Sequence, residues 1–595
     1  MRRQLLKSGL LAGIAAPFIS VCNCGVSRAF AAEESPASIT TLKRSIAPGD
    51  PLVKGKPYRA LASDSGWPIL VREELCAARS GRESRRRALA SFAHITDLHI
   101  IDAASPSHLT FMRQYKGTAA GAPLSNAARA QDTLTVHVLD AMVRRINAVA
   151  KGPISGRPFD FAISTGDNAD TRGFHELQSV ISVLNGEAAS FNAAGGLYQG
   201  LQDSAPGSGV SYDAFWHPEP VGGGQDEDSW KRLYGYPSVD GFIEAVSKSV
   251  TSQGLAFPWY TAFGNHDQMD LGVMPVGGGL SNFMEILATG NKMPTSLPSG
   301  MTPDDFIGAL LKASDEASMN AILAEMPTRD IRASAGRRTF TKQEFIRMHL
   351  EQKGPIGPEG HGFTQENLRQ KTAYYRFDMA DGLVGLMLDT TNPNGGPDGS
   401  LDADHVAWLT KELESLHARH YAEDGSIVTT GNKDNLVVLF SHHNSRTLDN
   451  LTRAPGENQS DRIGSDKILA LFARFPNIVL WVNGHTHCNR IWFHPDPNDA
   501  GGGIWEVNTA AHIDYPQQAR TIEIVDNNDG TLSVFTVVID HSDPEVIRRV
   551  GIQDQASLAA LSLELALNDP DLDRPYRLGL PEDLNVELIL KNPLS

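Results

Sequence analysis

Ile478-Val479-Leu480-Trp481-Val482-Asn483-Gly484-His485-Thr486-His487 joins an unbroken apolar run to a polar cluster led by glycine. A short run rich in β-branched residues reads as a strand buried on both faces, and Gly-His-Thr-His then falls in the loop at its carboxyl end. Four other stretches likewise run from an apolar strand into a polar cluster, two of them led by glycine. Ala93-His94-Ile95-Thr96 leads into Asp97-Leu98-His99, and Phe159-Asp160-Phe161-Ala162-Ile163 leads into Gly166-Asp167-Asn168. Trp259-Tyr260-Thr261-Ala262-Phe263 precedes Gly264-Asn265-His266-Asp267, and Leu436-Val437-Val438-Leu439-Phe440 precedes His442-His443-Asn444. In open α/β sheets ligands bind beyond the carboxyl ends of the strands, so five such clusters are expected to meet in one crevice.

Helical periodicity over 127–150, 402–418 and 464–474 separates some of these strands, which predicts α/β layers. Asp402-Ala403-Asp404-His405 reads as a helix start. Later runs, 503–507, 521–525 and 532–540, lack intervening helices and predict a second sheet of antiparallel hairpins, with Asp529-Gly530 as a turn. Two long segments, about 190–240 and 288–370, look like insertions in the core pattern. Residues 32–90 form a leader ending in Arg79, Arg82, Arg85, Arg86 and Arg87, a cluster expected on a solvated helix face. Residues 546–595 form a tail, with 561–567 as a helix packed on the body.

The chain has 595 residues, 53 Lys and Arg against 70 Asp and Glu, and a formal charge of -17. Such an acidic chain lacks the cationic footprint of a general nucleic-acid binder, so no nucleic-acid partner is expected. Residues 1–31 combine a cationic head, an apolar centre and a small-x-small site ending at Ala31, the plan of an export signal. The apolar run is too short to span a bilayer. Arg2-Arg3-Gln4-Leu5-Leu6-Lys7 resembles a twin-arginine signal, which implies the twin-arginine translocation machinery as a partner and a periplasmic or extracellular destination. Beyond the signal remain Cys76 and Cys488, either one disulfide or two free thiols.

The groups gathered at the strand ends are carboxylates, imidazoles and one amide, a donor set for Mn, Fe or Zn rather than an all-oxygen Ca or Mg cage. On extended chain Asp97-x-His99 and His485-x-His487 each point both side chains to one side. Glycines before Asp167, Asn265 and His485 permit sharp turns.

This ordered set resembles the calcineurin-like metallophosphoesterase superfamily across residues 91–545, and more finely a bacterial branch exported by the twin-arginine route. The resemblance implies an α/β fold: a four-layer sandwich of two mixed β-sheets flanked by helices, with a dinuclear metal centre at the strand ends. By the same resemblance Asp97, His99, Asp167 and His487 hold a first divalent ion. Asp167, Asn265, His442 and His485 hold a second, so Asp167 bridges. His442 takes the ligand place over His443 because it follows the strand more closely. His266 becomes the histidine near the leaving group, oriented by Asp267.

Purple acid phosphatases carry a tyrosine three residues after the bridging aspartate; here Asp170 stands there, which favours a divalent pair (Mn2+, Fe2+ or Zn2+) over a tyrosine-bound ferric ion. The activity implied is hydrolysis of a small phosphoester, monoester or diester, by water activated between two cations. A catalytically silent ligand-binding protein on the same fold is the alternative. Asn168 and Asp170 are candidate partners of the ligands, and His94, His175 and His512 are expected to be structural. Cys488 is expected as a small buried residue.

Overall fold

Strands buried on both faces need a layer on each side, and the two largest sheets of the chain supply those layers to each other. The computed structural model describes residues 36–595 apart from 117–127, 204–211, 220–227, 314, 353, 355, 454–461, 548, 550, 551 and 553. The export signal expected at 1–31 lies outside the described residues.

Seven strands form one mixed sheet, in the order Leu70–Arg72, Val586–Lys591, Thr531–Asp540, Gln518–Asp526, Arg87–Ile95, Phe161–Ser164, Trp259–Thr261. The last three run parallel, and Gln518–Asp526 joins them antiparallel, with Ile522 opposite Phe92. Six strands form the other: Tyr375–Ala380, Leu383–Met387, Leu436–Phe440, Ile478–Asn483, Gly503–Asn508, Arg490–Pro495. Its middle four are parallel. The five strands expected from sequence are therefore all present, three in one sheet and two in the other.

Side chains alternate across each strand, and this alternation divides the apolar interior. Val438, Phe440, Leu480 and Val482 face the seven-stranded sheet and share its core. There Phe92 and Phe161 stack with centroids 4.8 Å apart, Phe440 meets Phe92 edge-on at 5.7 Å, and Phe377 meets Phe161 at 5.6 Å. From the same strands Val437, Leu439 and Trp481 point the other way, into a cluster with Leu409 and Leu413 of helix Ala403–Ser415 and Ile468 and Phe472 of helix Ser465–Phe472. Helix Thr135–Val149 lies against strand Thr531–Asp540 and helix Gln555–Leu567. The latter is buried from Ser557 to Leu567 without a polar face, as a helix covered on all sides must be.

The late strands depart from expectation. Gly503–Asn508 pairs parallel with Ile478–Asn483, whereas Gln518–Asp526 and Thr531–Asp540 form a hairpin in the other sheet. They are thus divided between sheets rather than building one of their own. The hairpin turn does fall at Asp529-Gly530, where the Asp529 carboxylate accepts from the Thr531 amide at 3.1 Å. Nor do the arginines of 79–87 line a helix face: Arg82 and Arg86 both bond the Glu587 carboxylate, and Arg85 bonds Asp529 at 2.9 Å. Repulsion among clustered cations is relieved by acids of the sheet beside them. Residues 280–331 build a smaller apolar core with Leu109, Phe111 and Met112.

Phe161 touches rings from both sheets, so Phe161→Ala should destabilise the fold by about 3–5 kcal/mol, the usual range for a buried phenylalanine. Phe161→Leu should lose less than half as much. Urea unfolding followed by tryptophan fluorescence measures both.

Candidate metal centre

The strand ends deliver their side chains to one place. The ligand-type atoms of Asp97, His99 and His487 lie within 4.8 Å of one another, as do those of Asp97, Asp167 and His442. One oxygen joins two groups: Asp167 Oδ2 stands 3.6 Å from His99 Nε2 and 3.1 Å from His442 Nε2. Around the first position His487 Nε2 lies 3.1 Å from His99 Nε2 and 3.4 Å from Asp97 Oδ1. Around the second, His442 Nε2 lies 2.9 Å from Asn265 Oδ1 and 3.3 Å from His485 Nδ1. All seven residues named from the sequence are brought together.

The outward atoms of these side chains decide what the inward ones can do. His99 Nδ1 donates to Asp170 Oδ1 (2.9 Å), His487 Nδ1 to Asp514 Oδ2 (2.7 Å), and His442 Nδ1 to the Thr165 carbonyl (2.9 Å). His485 turns Nε2 towards Asp398 Oδ1, 3.7 Å away. Asn265 donates its amide to the Gly272 carbonyl at 3.0 Å, which leaves Oδ1 facing inwards. The rings of His99, His487 and His442 are thereby oriented so that the inner nitrogen, once free of its proton, offers a lone pair, the usual outer support of a metal ligand. Lone pairs of four imidazoles, one amide oxygen and two buried carboxylates then face one another. Such a set repels itself unless cations or protons intervene, so the residues present fit a pair of divalent cations.

The electrostatics agree. Burial alone would push the His442 imidazole down, but Asp167 and then Asp97 hold it up to about 9. Burial likewise works against ionised Asp167, and His442 and His266 nevertheless keep its carboxyl well below the usual range. Protons occupy positions that cations would take, so the two compete.

Backbone geometry departs from the expected reason for the spacing. Asp97, His99, Asp167, His485 and His487 all adopt left-handed conformations, with φ of 50°, 42°, 51°, 71° and 53°. The paired ligands therefore converge through tight turns, not along extended chain. Such conformations in non-glycine residues cost of order 1–3 kcal/mol each and persist where the surroundings over-determine them. Of the preceding glycines, Gly166 has the positive φ (101°) expected of a sharp turn, whereas Gly264 and Gly484 serve for room. A Cβ on Gly264 would stand 2.2 Å from Asp167 Oδ1, and one on Gly484 would stand 2.5 Å from Asp97 Oδ2.

His443 also has a ring nitrogen within 4.8 Å of those of His442 and His485, and its ring lies near His485, but other partners claim it. Its Nδ1 is 2.8 Å from Thr390 Oγ1 and its Nε2 2.9 Å from the Pro397 carbonyl, so both nitrogens are engaged. Asp267 corrects an expectation. Rather than orienting His266, its carboxylate accepts from the amides of Gly264, Asn168 and Ala169, and from Asn168 Nδ2, at 3.0–3.2 Å. It braces the turn that carries Asp167. His266 is instead oriented by the Asp170 carbonyl, 2.6 Å from Nδ1.

Asp170 plays the supporting part expected of it. Asn168 supports Asp267, one step further out. His94 bridges Thr509 and Thr165 at 2.7 and 2.8 Å, His175 bonds the Ser190 carbonyl at 2.8 Å, and His512 bonds the Thr96 carbonyl at 3.1 Å, all structural roles. Cys76 and Cys488 are free thiols, and Cys488 is buried. Asp514 and Asp398 were not anticipated. Asp514 follows strand Gly503–Asn508 by six residues, so extending the strand-end rule to that strand would have found it.

His442→Ala should lose a bound cation, whereas His443→Ala should keep both; elemental analysis of dialysed, Mn2+-reconstituted protein measures this. Asp170→Asn should weaken binding by roughly 10–100-fold, as loss of an outer partner does.

No family model matches the chain, and no curated protein matches it. Among solved structures it is similar to a dimetal phosphatase from Danio rerio, at 9% identity over 77% of this chain and 100% of that one, with a TM-score of 0.28. It is also similar to GAP50, the anchor in the inner membrane complex of Plasmodium, at 10% identity over 83% and 100%, with a TM-score of 0.23. A third is purple acid phosphatase PPD1 from yellow lupin (Lupinus luteus) seeds, at 8% identity and a TM-score of 0.25; the match covers 80% of this chain and 54% of that one.

Proposed function

We propose that the chain is an exported phosphoester hydrolase that works with two divalent cations, on a four-layer calcineurin-like domain whose site-bearing strand ends fall within the expected 91–545. Leu70–Arg72 and Val586–Lys591 add strands to its larger sheet from outside those bounds. The observation that carries this reading is the position of Asp167 Oδ2 between His99 Nε2 and His442 Nε2, one carboxylate oxygen shared by two converging donor groups. Imidazole and carboxylate donors with one amide favour Mn2+, Fe2+ or Zn2+. A bound pair supplies positive charge at the phosphoryl oxygens and an acidified water. Asp97, His99 and His487 would hold one ion and Asn265, His442 and His485 the other, with Asp167 common to both.

The protein's own part in the reaction falls to His266. Its side chain is 22% exposed, against 11% and 12% for His485 and His487 and 1% or less for His99 and His442. With Nδ1 on the Asp170 carbonyl, Nε2 is the atom left for a substrate. Burial pushes this imidazole down to about 4 despite the Asp167 charge. In the resting site it is therefore neutral, and a proton must come with an anionic phosphoester for it to act on the leaving oxygen.

Protein loaded with Mn2+ should hydrolyse a nitrophenyl phosphoester, and chelation should abolish the activity. His266→Ala should keep both ions and lose roughly 10²–10⁴-fold in turnover on a substrate with an alkoxide leaving group, but little on one releasing nitrophenolate. Equal losses would leave His266 with positioning alone. Hydrolysis of neither a monoester nor a diester by protein holding two ions would favour the ligand-binding alternative.

The export proposal rests on residues 1–31. Replacing Arg2 and Arg3 together by lysine should leave folded precursor in the cytoplasm; normal export of that variant, followed by fractionation and immunoblotting, would refute the twin-arginine route.

A further inference from the structure

The loop that carries two of the expected ligands, His485 and His487, has little internal support. Both residues are left-handed, and its only backbone bond within the loop joins the Thr486 amide to the Gly484 carbonyl at 2.9 Å. The Gly484 amide is held by the His442 carbonyl at 3.0 Å and the His485 amide by Asp97 at 2.9 Å, and the stretch beyond them takes its support from the far C-terminal part of the chain. The short helix Arg574–Leu578 lies against it, held to Asn489 by two bonds. The Asn489 amide donates to the Arg577 carbonyl at 3.0 Å, and Asn489 Nδ2 donates to the Leu578 carbonyl at 3.2 Å. The Arg577 guanidinium then reaches into the loop. Its Nη1 donates to the Thr486 carbonyl at 2.9 Å, and its Nη2 stands 3.8 Å from Asp514 Oδ2. That oxygen is the one that accepts from His487 Nδ1, while Arg129 Nε bonds Asp514 Oδ1 at 2.9 Å.

We propose that Arg577 is a positioning residue of the metal centre, fixing the main chain between His485 and His487 and, through Asp514, the ring of His487. The proposal rests on the two-cation reading of this site. Because His485 and His487 are assigned to different ions, one guanidinium from outside residues 91–545 would set the distance between the two halves. A guanidinium suits this task, since its fixed fork addresses a carbonyl and a carboxylate together. A lysine ammonium can satisfy the carbonyl but cannot hold both in that geometry.

The test uses the full chain, freed of metal by chelation and then titrated calorimetrically with Mn2+. Arg577→Ala should weaken cation binding by roughly 10–100-fold, while the thermal midpoint of the metal-free protein stays at the wild-type value. The side chain is 23% exposed, so water can take over its bond to Thr486 once it is gone. Arg577→Lys should recover part of the affinity. Asp514→Asn and Arg577→Ala together should weaken binding by less than the product of the two separate effects, because both act on His487.

Wild-type affinity in Arg577→Ala would overturn the proposal. So would a loss of affinity matched by a lower midpoint of the metal-free protein and not relieved by lysine, since that marks a purely structural residue. If the wild-type chain binds no Mn2+, the two-cation reading fails and takes this proposal with it.

Discussion

Two carboxylates, Asp97 and Asp167, are buried at the line where the strands of two sheets end, and the rest of the site answers to them. Taking a carboxylate out of water is so unfavourable that it stays ionised only with positive charge or several donors against it. Amides meet part of the need: His485 donates to Asp97 at 2.9 Å and His266 donates to Asp167 at 2.8 Å. Imidazoles meet the remainder, and each is in turn gripped from behind. That requirement draws in Asp170, Asp514 and the Thr165 carbonyl. It then draws in His108, 3.2 Å from Asp170, and Glu176, 2.8 Å from His108. Polarity therefore extends well into the protein in alternating charges, because an unpaired member at any step would leave the preceding one uncompensated.

The same alternation fastens the inserted segment to the centre. Asp102, three residues beyond His99, meets Arg337 at 3.0 Å with both side chains buried. Arg172, five residues beyond Asp167, meets Asp270 at 2.9 Å. Residues 280–331 have a core of their own, yet these buried ion pairs tie the elements around it to the loops that carry the ligands. Breaking either pair would strip a buried charge of its nearest counter-charge, which penalises independent motion of the two parts.

Much of this was legible because one signal repeats. An apolar strand followed by a cluster of carboxylate, amide or imidazole groups, with a leading glycine in three of the five cases, declares its own end, and five repetitions locate the crevice without knowledge of strand order. What escaped depends on partners distant in the chain. Gly503–Asn508 and Gln518–Asp526 look alike as sequence, but their sheets are chosen by which edge is open, Ile478–Asn483 for one and Arg87–Ile95 for the other. Asp267 misled because adjacency to His266 says nothing of direction; at the start of a helical turn its carboxylate points back to free amides. The left-handed ligands could not be read at all. Aspartate and histidine tolerate positive φ more readily than most residues, but only packing imposes it.

One pairing in the larger sheet bears on how the protein comes to exist. Leu70–Arg72 has its partner in Val586–Lys591, more than five hundred residues away, and that partner also covers the edge of Thr531–Asp540. A growing polypeptide cannot complete this sheet until the second strand has been synthesised. Joining ends so far apart is slow, since the loop entropy must be met before the contacts form. Until then the strand Thr531–Asp540 presents an open edge, a surface prone to pair with other chains. The sheet therefore closes only after Val586–Lys591 has been made, and until then that edge is a surface a chaperone could hold.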